Sequence, residues 1–357
     1  MTPASVQPAR GGEPPRGPRV TVLGLGQMGM VCAGVLAGNG ASVRVWGHSE
    51  EESGRVAQTR RSDKLAGFVL PESVIVPLSD RGAMRDADIV ISAVPVQFIR
   101  ETWERLAPLM PPGAGVVSVA KGIENSTLLR PTQVIADVLR QSGRDDPDAA
   151  ARRIGCLSGP TIAPELARCL PAAMIAASDD PEFARQIQII FGCSWLRVYT
   201  NADLLGVELA GAMKNVIAIA AGIIDGLRAG NNAKSAMLAR GLAEIARLGT
   251  AMGASPETFF GIAGVGDLAT SCFSPEGRNR SCGEALGEGE TLQEYLKRTP
   301  YVVEGVATAR AVLALAERYR VEVPITAAVG AVLFEGLDPI RAIGQLMTRE
   351  LKPERIG

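Results

Sequence analysis

Histidine and lysine are scarce in this sequence, which narrows the groups that can carry out acid–base chemistry. Among 357 residues there is one histidine, His48. A zinc site built from several histidines is therefore excluded, and a Ser-His pair could use only that position. Arginine provides most of the positive charge and cannot act as a base near neutral pH. We therefore expect proton transfer to use lysine, carboxylate, cysteine or tyrosine. The lysines are Lys64, Lys121, Lys214, Lys234, Lys297 and Lys352.

Paired cysteines and a strong net charge are also missing. The six cysteines form no CxxC pair and most lie in apolar segments, as expected for reduced core thiols of a cytoplasmic protein without a metal site. The formal net charge of −1 gives no reason to expect nucleic acid or an acidic membrane surface as a partner. Residues 1–18 are rich in Pro, Gly and Arg and lack the apolar core of a signal peptide, so we expect a disordered tail.

The N-terminal half begins with the pattern of a dinucleotide-binding fold. A β-branched strand at residues 19–23 leads into GLGQMG at residues 24–29, then into an apolar helix and a second strand. In this setting Gly24 permits the turn, and Gly26 lets the backbone approach a pyrophosphate. Gly29 lets the helix pack close to the strand, and the helix N-terminus faces the phosphates. The motif therefore predicts a bound dinucleotide.

The end of the second strand lacks the acidic residue that usually binds the ribose of such a cofactor. The chain reads Gly47-His48-Ser49 before Glu50. His48 could approach the adenine ribose or a 2′-phosphate, or it could be an exposed loop histidine. The sequence leaves both interpretations open.

Alternating strands and helices continue to about residue 200, which indicates a mostly parallel, doubly wound sheet with helices on both faces. Lys121 directly follows a predicted strand and so lies at the carboxyl edge of the sheet, where ligands bind in such folds. A helix is predicted at residues 96–110. The predicted strands are residues 19–23, 42–46, 74–76, 87–95, 115–120, 154–157, 172–177 and 196–199.

Beyond residue 200 the apolar residues recur at helical spacing, which predicts an all-α domain. Thr200 with Asp203 resembles a capping box that opens a long helix. GVGDL at residues 264–268 and EGRNR at residues 276–280 are interpreted as loops that hold polar groups among glycines. Further helices are predicted at residues 235–252, 291–298, 306–318 and 324–333. We therefore expect a tail (1–18), a Rossmann domain (19–200) and a helical domain (201–357).

One stretch, residues 204–227, is apolar nearly all round and carries a single lysine, Lys214. Glu208, Lys214 and Asn215 interrupt it too much for a membrane span, so we expect a buried helix. No acid lies three or four positions from Lys214. A buried ammonium without a local partner must find one elsewhere in the fold or serve chemistry. A lysine that snorkels at a helix surface is the alternative.

Taken together, these motifs resemble the NAD(P)-dependent glycerol-3-phosphate dehydrogenases over residues 20–353. The resemblance implies an N-terminal Rossmann domain, a C-terminal helical domain and an active site between them, with NAD(H) or NADP(H) as cofactor. The motifs that carry it are GLGQMG at 24–29, AVP at 93–95, AKGIE at 120–124, LSGPTIAPE at 157–165, the lysine-bearing helix at 206–227, GVGDLATSC at 264–272, GRNR at 277–280 and VEGV at 303–306.

The resemblance also implies roles for individual residues. Lys214 matches the catalytic lysine of the family, and Lys121 and Asp267 join it at the reacting centre. Positions that match substrate-binding residues are Lys121, Gly159, Thr161, Lys214, Asp267, Gly277, Arg278 and Asn279. Positions that match cofactor-binding residues are Gly24, Gly26, Gln27, Met28, Gly29, His48, Lys121, Ala163, Arg278, Val302 and Glu304.

Some positions depart from the usual family pattern. Gly277 stands where serine is usual, which removes one hydroxyl contact to the substrate phosphate. His48 stands where many members have arginine, so the choice between NAD and NADP is open. Gln27 and Met28 occupy turn positions where the family commonly has Ser-Trp.

The implied reaction interconverts dihydroxyacetone phosphate and sn-glycerol 3-phosphate by hydride transfer, with Lys214 as general acid and base, and supplies glycerol 3-phosphate for phospholipid synthesis. The resemblance also implies a cytoplasmic homodimer with a small-molecule substrate. One alternative is a related dehydrogenase for an unphosphorylated 3-hydroxy acid or a 2-keto acid; Arg278, Asn279 and Lys121 argue against it. The other is a nucleotide-sensing protein without catalysis, against which Lys214 and Asp267 argue.

Overall fold

The computed structural model describes residues 17–145, 152–350 and 353, so residues 1–16 of the expected tail lie outside it. Pro18 accepts a hydrogen bond from the backbone N–H of Ser42 at 3.0 Å, so this residue of the expected disordered tail is bound to the sheet. Within the described residues seven strands form one sheet in the order β2-β1-β3-β4-β5-β6-β7. They are β1 (Arg19–Leu23), β2 (Ser42–Trp46), β3 (Ile89–Ser92), β4 (Gly115–Ser118), β5 (Ile154–Ser158), β6 (Ala172–Ser178) and β7 (Leu196–Asn201).

The sheet is mostly parallel, as predicted. Every neighbouring pair runs parallel except β5 and β6. The strand order reverses at β1, because β2 lies on one side of it and β3 on the other. Leu23 at the end of β1 is level with Trp46 of β2 and Ser92 of β3. A crevice therefore opens at this edge, where doubly wound folds bind their ligands.

The predicted strand at residues 74–76 is wrong. Only Ile75 pairs with β2: its N–H donates to Val43 and its carbonyl accepts from Val45, which makes a single bridge to Arg44. Pro77 follows at once and has no N–H to continue a ladder. The bridge occupies the place beside β2 that a third strand takes in the 3-2-1-4-5-6 order of dinucleotide-binding sheets.

Both faces of the sheet are covered by helices, as its nearly continuous apolar strands require. Alternation along β3 places Ile89 and Ile91 in one core and Val90 in the other. The helices of this half are α1 (Gln27–Gly38), α2 (Glu50–Thr59), α3 (Asp80–Met84), α4 (Ile99–Leu106), α5 (Pro131–Gln141), α6 (Ala163–Ala167) and α7 (Pro181–Phe191). The helix predicted at 96–110 is α4 with a 3₁₀ turn at each end.

The rest of the described chain is helical around its own core. The helices are α8 (Leu204–Gly226), α9 (Gly230–Ala251), α10 (Pro256–Phe259), α11 (Asp267–Phe273), α12 (Arg278–Gly287), α13 (Leu292–Arg298), α14 (Glu304–Tyr319), α15 (Pro324–Phe334) and α16 (Pro339–Met347). Among the described residues, α8 is the one helix long and apolar enough to cross a membrane, and its apolar window is fully buried inside the protein.

Two local predictions in this half need correction. Thr200 does not cap α8, because it belongs to β7; Asp203 is the cap, and its side chain accepts from the N–H of Gly206 at 2.8 Å. The motifs GVGDL and EGRNR are not loops. The first is a π-helical turn that runs into α11, and the second contains the start of α12. Tertiary packing therefore overrides the low helix propensity of their glycines and asparagine.

Candidate functional site

A cavity of about 920 Å³ lies between the carboxyl edge of the sheet and the helical half. Two of the predicted site residues, Gly29 and Gly159, are not part of its wall. The predicted residues that line it are Gly24, Gly26, Gln27, Met28, His48, Lys121, Thr161, Ala163, Lys214, Asp267, Gly277, Arg278, Asn279, Val302 and Glu304. The fold thus gathers residues from both halves of the chain into one cleft.

The turn between β1 and α1 leaves room for a ligand against its backbone. Gly24 has φ +120, a conformation that favours glycine, and a side chain there would also meet the carbonyl of Ala93 at 2.7 Å. A Cβ at Gly29 would lie 1.9 Å from the Gly24 carbonyl, so this glycine lets α1 pack against the strand. A Cβ at Gly26 would meet nothing within 4 Å. The open space at Gly26 and the N-terminus of α1 suit a pyrophosphate.

Two lysines meet at one carboxylate in the floor of the cavity. Lys214 donates to Oδ1 of Asp267 at 2.7 Å, and Lys121 donates to Oδ2 of the same residue at 2.6 Å. Asp267 is 1% exposed, so it is paired on both oxygens and shielded from water. Lys214, which has no acid within one helical turn, therefore pairs with Asp267, 53 residues further along the chain.

Each lysine has further partners that fix its ammonium group. Lys121 also donates to the carbonyl of Gly159 at 2.8 Å and to the hydroxyl of Thr161 at 3.2 Å. Lys214 also donates to the hydroxyl of Ser271 at 2.6 Å. Gly159 has φ +125 and turns its carbonyl toward Lys121. The LSGPT loop therefore positions Lys121 rather than forming the wall of the cavity at Gly159.

The electrostatics of this cluster differ from those of exposed groups. Burial lowers the pKa of Lys121 to about 8; Asp267 opposes the shift and Lys214 adds to it. Burial raises the pKa of Glu304, while Arg278, Lys214 and Lys121 oppose that shift. Lowered lysine pKa values are typical of sites where a proton is transferred near neutral pH.

Amide groups connect the lysine cluster to the start of α12. Asn279 donates to the side-chain oxygen of Asn215 at 3.0 Å, and the N–H of Gly305 donates to Asn279 at 2.9 Å. Asn215 donates in turn to the carbonyl of Lys121 at 3.4 Å. The amide of Asn279 is therefore held by α8 and α14 together and cannot rotate without breaking both contacts.

The two arginines of GRNR have different surroundings. Arg280 pairs with Asp225 at 2.7 Å and with Glu284 at 3.3 Å. Arg278 lies over the ring of Tyr301, 5.6 Å from its centroid, and reaches Gln27 at 3.4 Å. Among the described residues it makes no ion pair, so its guanidinium is the one available to an anion in the cleft.

His48 lines the cavity and is exposed. Its ring meets Trp46 edge-on, with centroids 6.1 Å apart. Arg105 donates to the backbone carbonyl of His48 at 3.2 Å and pairs with Asp80 at 2.7 Å. The position suits the adenosine end of a dinucleotide that extends from the GLGQMG turn.

Ser271 is a residue of the site that sequence reasoning missed. It lies four residues after Asp267 on α11, and residues at this spacing share one face of a helix. Interpreting GVGDL as a loop concealed that relationship. Recognition of α11 as a helix would have placed Ser271 beside Asp267 and thus beside Lys214.

The described part of the chain contains neither a cluster of metal-binding side chains nor an activated thiol among its buried cysteines. There, no group of three or more His, Cys, Asp or Glu is arranged to hold a metal ion. Burial raises the pKa of the Cys32, Cys272 and Cys282 thiols to about 12, so they stay protonated and unreactive. Cys169 differs from the predicted core thiols because it is exposed.

Comparison with known proteins places the chain among glycerol-3-phosphate dehydrogenases. The family model for the NAD-dependent glycerol-3-phosphate dehydrogenase N-terminus matches residues 19–184, and the model for the C-terminus matches residues 203–344. Glycerol-3-phosphate dehydrogenase (NAD(P)+) of Pelotomaculum thermopropionicum is 44% identical over 93% of this chain and 93% of its own length. Glycerol-3-phosphate dehydrogenase (NAD(P)+) 2 of Mycobacterium tuberculosis is 45% identical over 94% of this chain and 98% of its own.

A solved structure agrees with these sequence relatives. The crystal structure of glycerol-3-phosphate dehydrogenase from Coxiella burnetii matches 94% of this chain and 100% of its own, with a TM-score of 0.87 and 32% identity. The Rossmann-like sheet and the helical half are thus shared over nearly the whole chain. The family resemblance and the fold class predicted from the motifs are confirmed, and the chain belongs to the NAD-dependent glycerol-3-phosphate dehydrogenase family.

Proposed function

We propose that this protein is an NAD(P)-dependent glycerol-3-phosphate dehydrogenase that interconverts dihydroxyacetone phosphate and sn-glycerol 3-phosphate. The observation that carries the proposal is the cluster of Lys214, Asp267 and Lys121 in the same cleft as the unpaired guanidinium of Arg278. The two lysines and the aspartate are suited to proton transfer, and the arginine is suited to binding a phosphate dianion. Family membership supports the same reaction.

Lys214 acts as the general acid of the reduction and the general base of the oxidation. When bound, the nicotinamide cofactor supplies the hydride. The ketone oxygen then gains negative charge, and the ammonium of Lys214 donates a proton to it. Asp267 and Ser271 hold the ammonium in place. Lys121, 2.6 Å from the other oxygen of Asp267, adds positive charge beside the reacting carbonyl.

Arg278 and Asn279 fix the substrate through its phosphate. A guanidinium binds a phosphate through paired N–H groups, which sets the position of the carbonyl relative to Lys214. Asn279 is held between α8 and α14, and the second N–H of its side-chain amide is left to donate to the phosphate. Gly277 precedes Arg278 without a hydroxyl of its own, so the phosphate relies on these neighbours and on the N–H groups at the start of α12.

The residues at the mouth of the β1–α1 turn fit a dinucleotide. The open cradle at Gly26, the side chains of Gln27 and Met28 and the wall formed by Ala163, Val302 and Glu304 would hold it. His48 would approach the adenosine ribose. The cofactor is NAD(H) or NADP(H), because no carboxylate follows directly on Trp46 to reject a 2′-phosphate.

We expect wild-type protein to use both cofactors and His48→Arg to shift the balance toward NADPH. Arginine is always charged and binds a phosphate bidentately, which an imidazole cannot match. The measurement is kcat/KM with NADPH and with NADH for both proteins. The same ratio before and after the substitution would place His48 away from the ribose.

The wider features of the protein follow from family membership and sequence. We propose a division into a Rossmann domain (19–200) and a helical domain (201–357), a homodimer, a cytoplasmic location and a role in supplying glycerol 3-phosphate for phospholipid synthesis. All six cysteines are free of disulfides, which supports a reducing compartment. Size-exclusion chromatography with light scattering tests the homodimer directly.

The deciding experiment follows NADH and NADPH oxidation with dihydroxyacetone phosphate and, as the matched control, with dihydroxyacetone. We expect rapid turnover of the phosphorylated ketone and weak turnover of the other, because Arg278 then lacks its anion. Equal kcat/KM for both substrates would mean that Arg278 does not recognise the phosphate. Binding of NADH without turnover of either would favour the two alternatives, a dehydrogenase for an unphosphorylated acid or a nucleotide sensor, and turnover of such an acid separates them.

A further inference from the structure

Tyr301 was singled out neither by a local sequence pattern nor by the family resemblance, although its neighbour Val302 matches a cofactor-binding position. Residues 299–303 connect α13 to α14, and Pro300, Tyr301 and Val302 line the cleft. The N–H of Tyr301 donates to the hydroxyl of Thr299 at 3.4 Å. In the first turn of α14, directly after the segment, the N–H of Gly305 donates to Asn279, the neighbour of Arg278. The segment is thus tied to the start of α12, the helix that begins with Arg278.

Resting on the proposed function, we propose that Tyr301 is a positioning residue that holds Arg278 in the orientation needed to bind the substrate phosphate. The guanidinium carbon of Arg278 lies 5.6 Å from the centroid of the Tyr301 ring, within the range of a cation–π contact. Among the described residues no carboxylate pairs with Arg278. Glu304 attracts Arg278 through its charge without forming an ion pair, so the aromatic ring and the weak contact to Gln27 at 3.4 Å are the direct contacts that orient it.

The geometry explains why a ring serves this purpose better than a carboxylate. A carboxylate would occupy the N–H groups of the guanidinium and compete with the substrate phosphate. A ring contacts the face of the group and leaves the N–H edges free for the anion. An arginine side chain otherwise loses rotamer freedom when the substrate orders it, so prior restraint favours binding.

The contact between Tyr301 and Arg278 predicts that removal of the ring changes KM rather than kcat. Tyr301 acts through Arg278 on the phosphate, which does not change during the reaction. Its removal should therefore weaken substrate binding in the ground state and the transition state alike, which raises KM and leaves kcat nearly unchanged. If the ring merely supported the fold, its removal would lower stability and would not raise KM while leaving kcat unchanged.

The test compares Tyr301→Leu, which removes the ring, with Tyr301→Phe, which keeps the ring and removes the hydroxyl. We expect Tyr301→Leu to raise the KM for dihydroxyacetone phosphate roughly three- to tenfold, with kcat within about twofold of wild type. Tyr301→Phe should restore a KM near that of wild type. Tyr319→Leu is the matched control, because it removes the Arg318–Tyr319 contact outside the cleft and should leave KM unchanged.

A double variant shows whether the ring acts through the arginine. In an Arg278→Ala background, adding Tyr301→Leu should raise KM no further, since coupled residues are not additive. An unchanged KM in Tyr301→Leu, a Phe variant as poor as the Leu variant, or a full additional effect without Arg278 would each overturn the proposal. Wild-type protein without turnover of dihydroxyacetone phosphate would overturn the proposed function and this inference with it.

Discussion

Two lysines share one buried aspartate, and this sharing determines what a substitution at either lysine does. Breaking a buried ion pair usually costs about 3–5 kcal/mol, because it leaves a charge without a partner. Asp267 is different, since each of its oxygens has its own ammonium. Loss of one lysine leaves the carboxylate paired with the other. A substitution at Lys214 can therefore separate chemistry from stability.

We predict that Lys214→Met folds, binds NADH and loses about 10²- to 10⁴-fold in turnover, the usual contribution of a positioned acid–base group. Methionine keeps most of the length and apolar stem of the side chain while removing its proton. Steady-state kinetics and cofactor titration measure the two properties separately. Near-normal turnover would make Lys121 the better candidate for the proton donor.

Lys234 provides the matched control for this substitution. It is buried, and it shares Asp225 with Arg280 much as Lys214 shares Asp267 with Lys121. Lys234 is not part of the cleft wall. Lys234→Met should therefore keep kcat near wild type, and a comparable loss of turnover there would mean that the effect at Lys214 is not specific to the reaction.

The lowered pKa of Lys121 predicts a pH dependence. Burial brings this pKa to about 8, so Lys121 is charged at pH 7 and loses its charge as the pH rises through 8. In the reduction it supplies positive charge beside the forming alkoxide. We therefore expect kcat/KM for dihydroxyacetone phosphate, which reports on the free enzyme, to fall above about pH 8. In Lys121→Met the activity should be lower and the fall near pH 8 absent. A flat wild-type profile from about pH 7 to 9 would contradict this role.

At the scale of elements, the position of the phosphate site depends on how closely α12 packs against α8. A Cβ built on Gly222 of α8 would lie 1.9 Å from the carbonyl of Arg280, and one on Gly283 of α12 would lie 2.0 Å from that of Ile219. The two backbones are thus in direct contact at both glycines. This contact sets the positions of Arg278 and Asn279 at the start of α12.

We predict that Gly222→Ala lowers the free energy of unfolding by about 1–3 kcal/mol, the usual cost of forcing extra atoms into a packed core, and raises the substrate KM. The methyl group would have to push α12 away and move Arg278 with it. Gly344→Ala on α16 is the control, because a Cβ there meets nothing within 4 Å and should be neutral or slightly stabilising. Denaturant unfolding and steady-state kinetics check both. A Gly222→Ala protein with wild-type KM would show that α12 is adjusted independently of α8.

Local patterns predicted elements best where the residues themselves determine the conformation. Strands β1 and β2 were predicted to the residue, because β-branched runs there end at glycines or polar residues. GVGDL was misinterpreted because glycine usually indicates a loop. Gly264 is instead required by packing, since a Cβ there would lie 1.9 Å from the carbonyl of Phe259. This close approach of two backbone segments exists only in the folded chain, so no local sequence pattern indicates it.

The site shows the same limit. The sequence alone indicated that Lys214 is unusual, since its helix is apolar and offers no local acid. It could not indicate that Lys121 approaches the same carboxylate, because that contact joins residues 146 positions apart. Tyr301 carries no local signal at all, as its role depends on where the 299–303 segment meets α12. The GVGDL and EGRNR motifs marked polar groups around Asp267 and Arg278, and the family resemblance assigned these two residues to the predicted site.

At the scale of the whole molecule, a second ion pair besides Lys121–Asp267 joins the described helical half to the sheet half, away from the reacting centre. Glu208 on α8 pairs with Arg130, which precedes α5. The carboxylate of Glu208 also accepts from the N–H of Thr132 at 3.0 Å and from its hydroxyl at 2.6 Å. Glu208 therefore caps the N-terminus of α5 from the other half of the chain. The N-terminus of a helix favours a negative charge.

We predict that Glu208→Leu uncouples the unfolding of the two halves and lowers stability by about 3–5 kcal/mol, because Arg130 is left buried and unpaired. All three tryptophans, Trp46, Trp103 and Trp195, lie in the sheet half, so their fluorescence reports on that half, whereas circular dichroism reports on helices of both. The two denaturation curves should coincide in wild type and separate in the variant. Adding Arg130→Met should recover part of the loss, since no charge then stays buried, while Thr132 still lacks its acceptor. Coincident curves and a loss below about 1 kcal/mol in Glu208→Leu would mean that apolar packing of α8, rather than this ion pair, couples the halves.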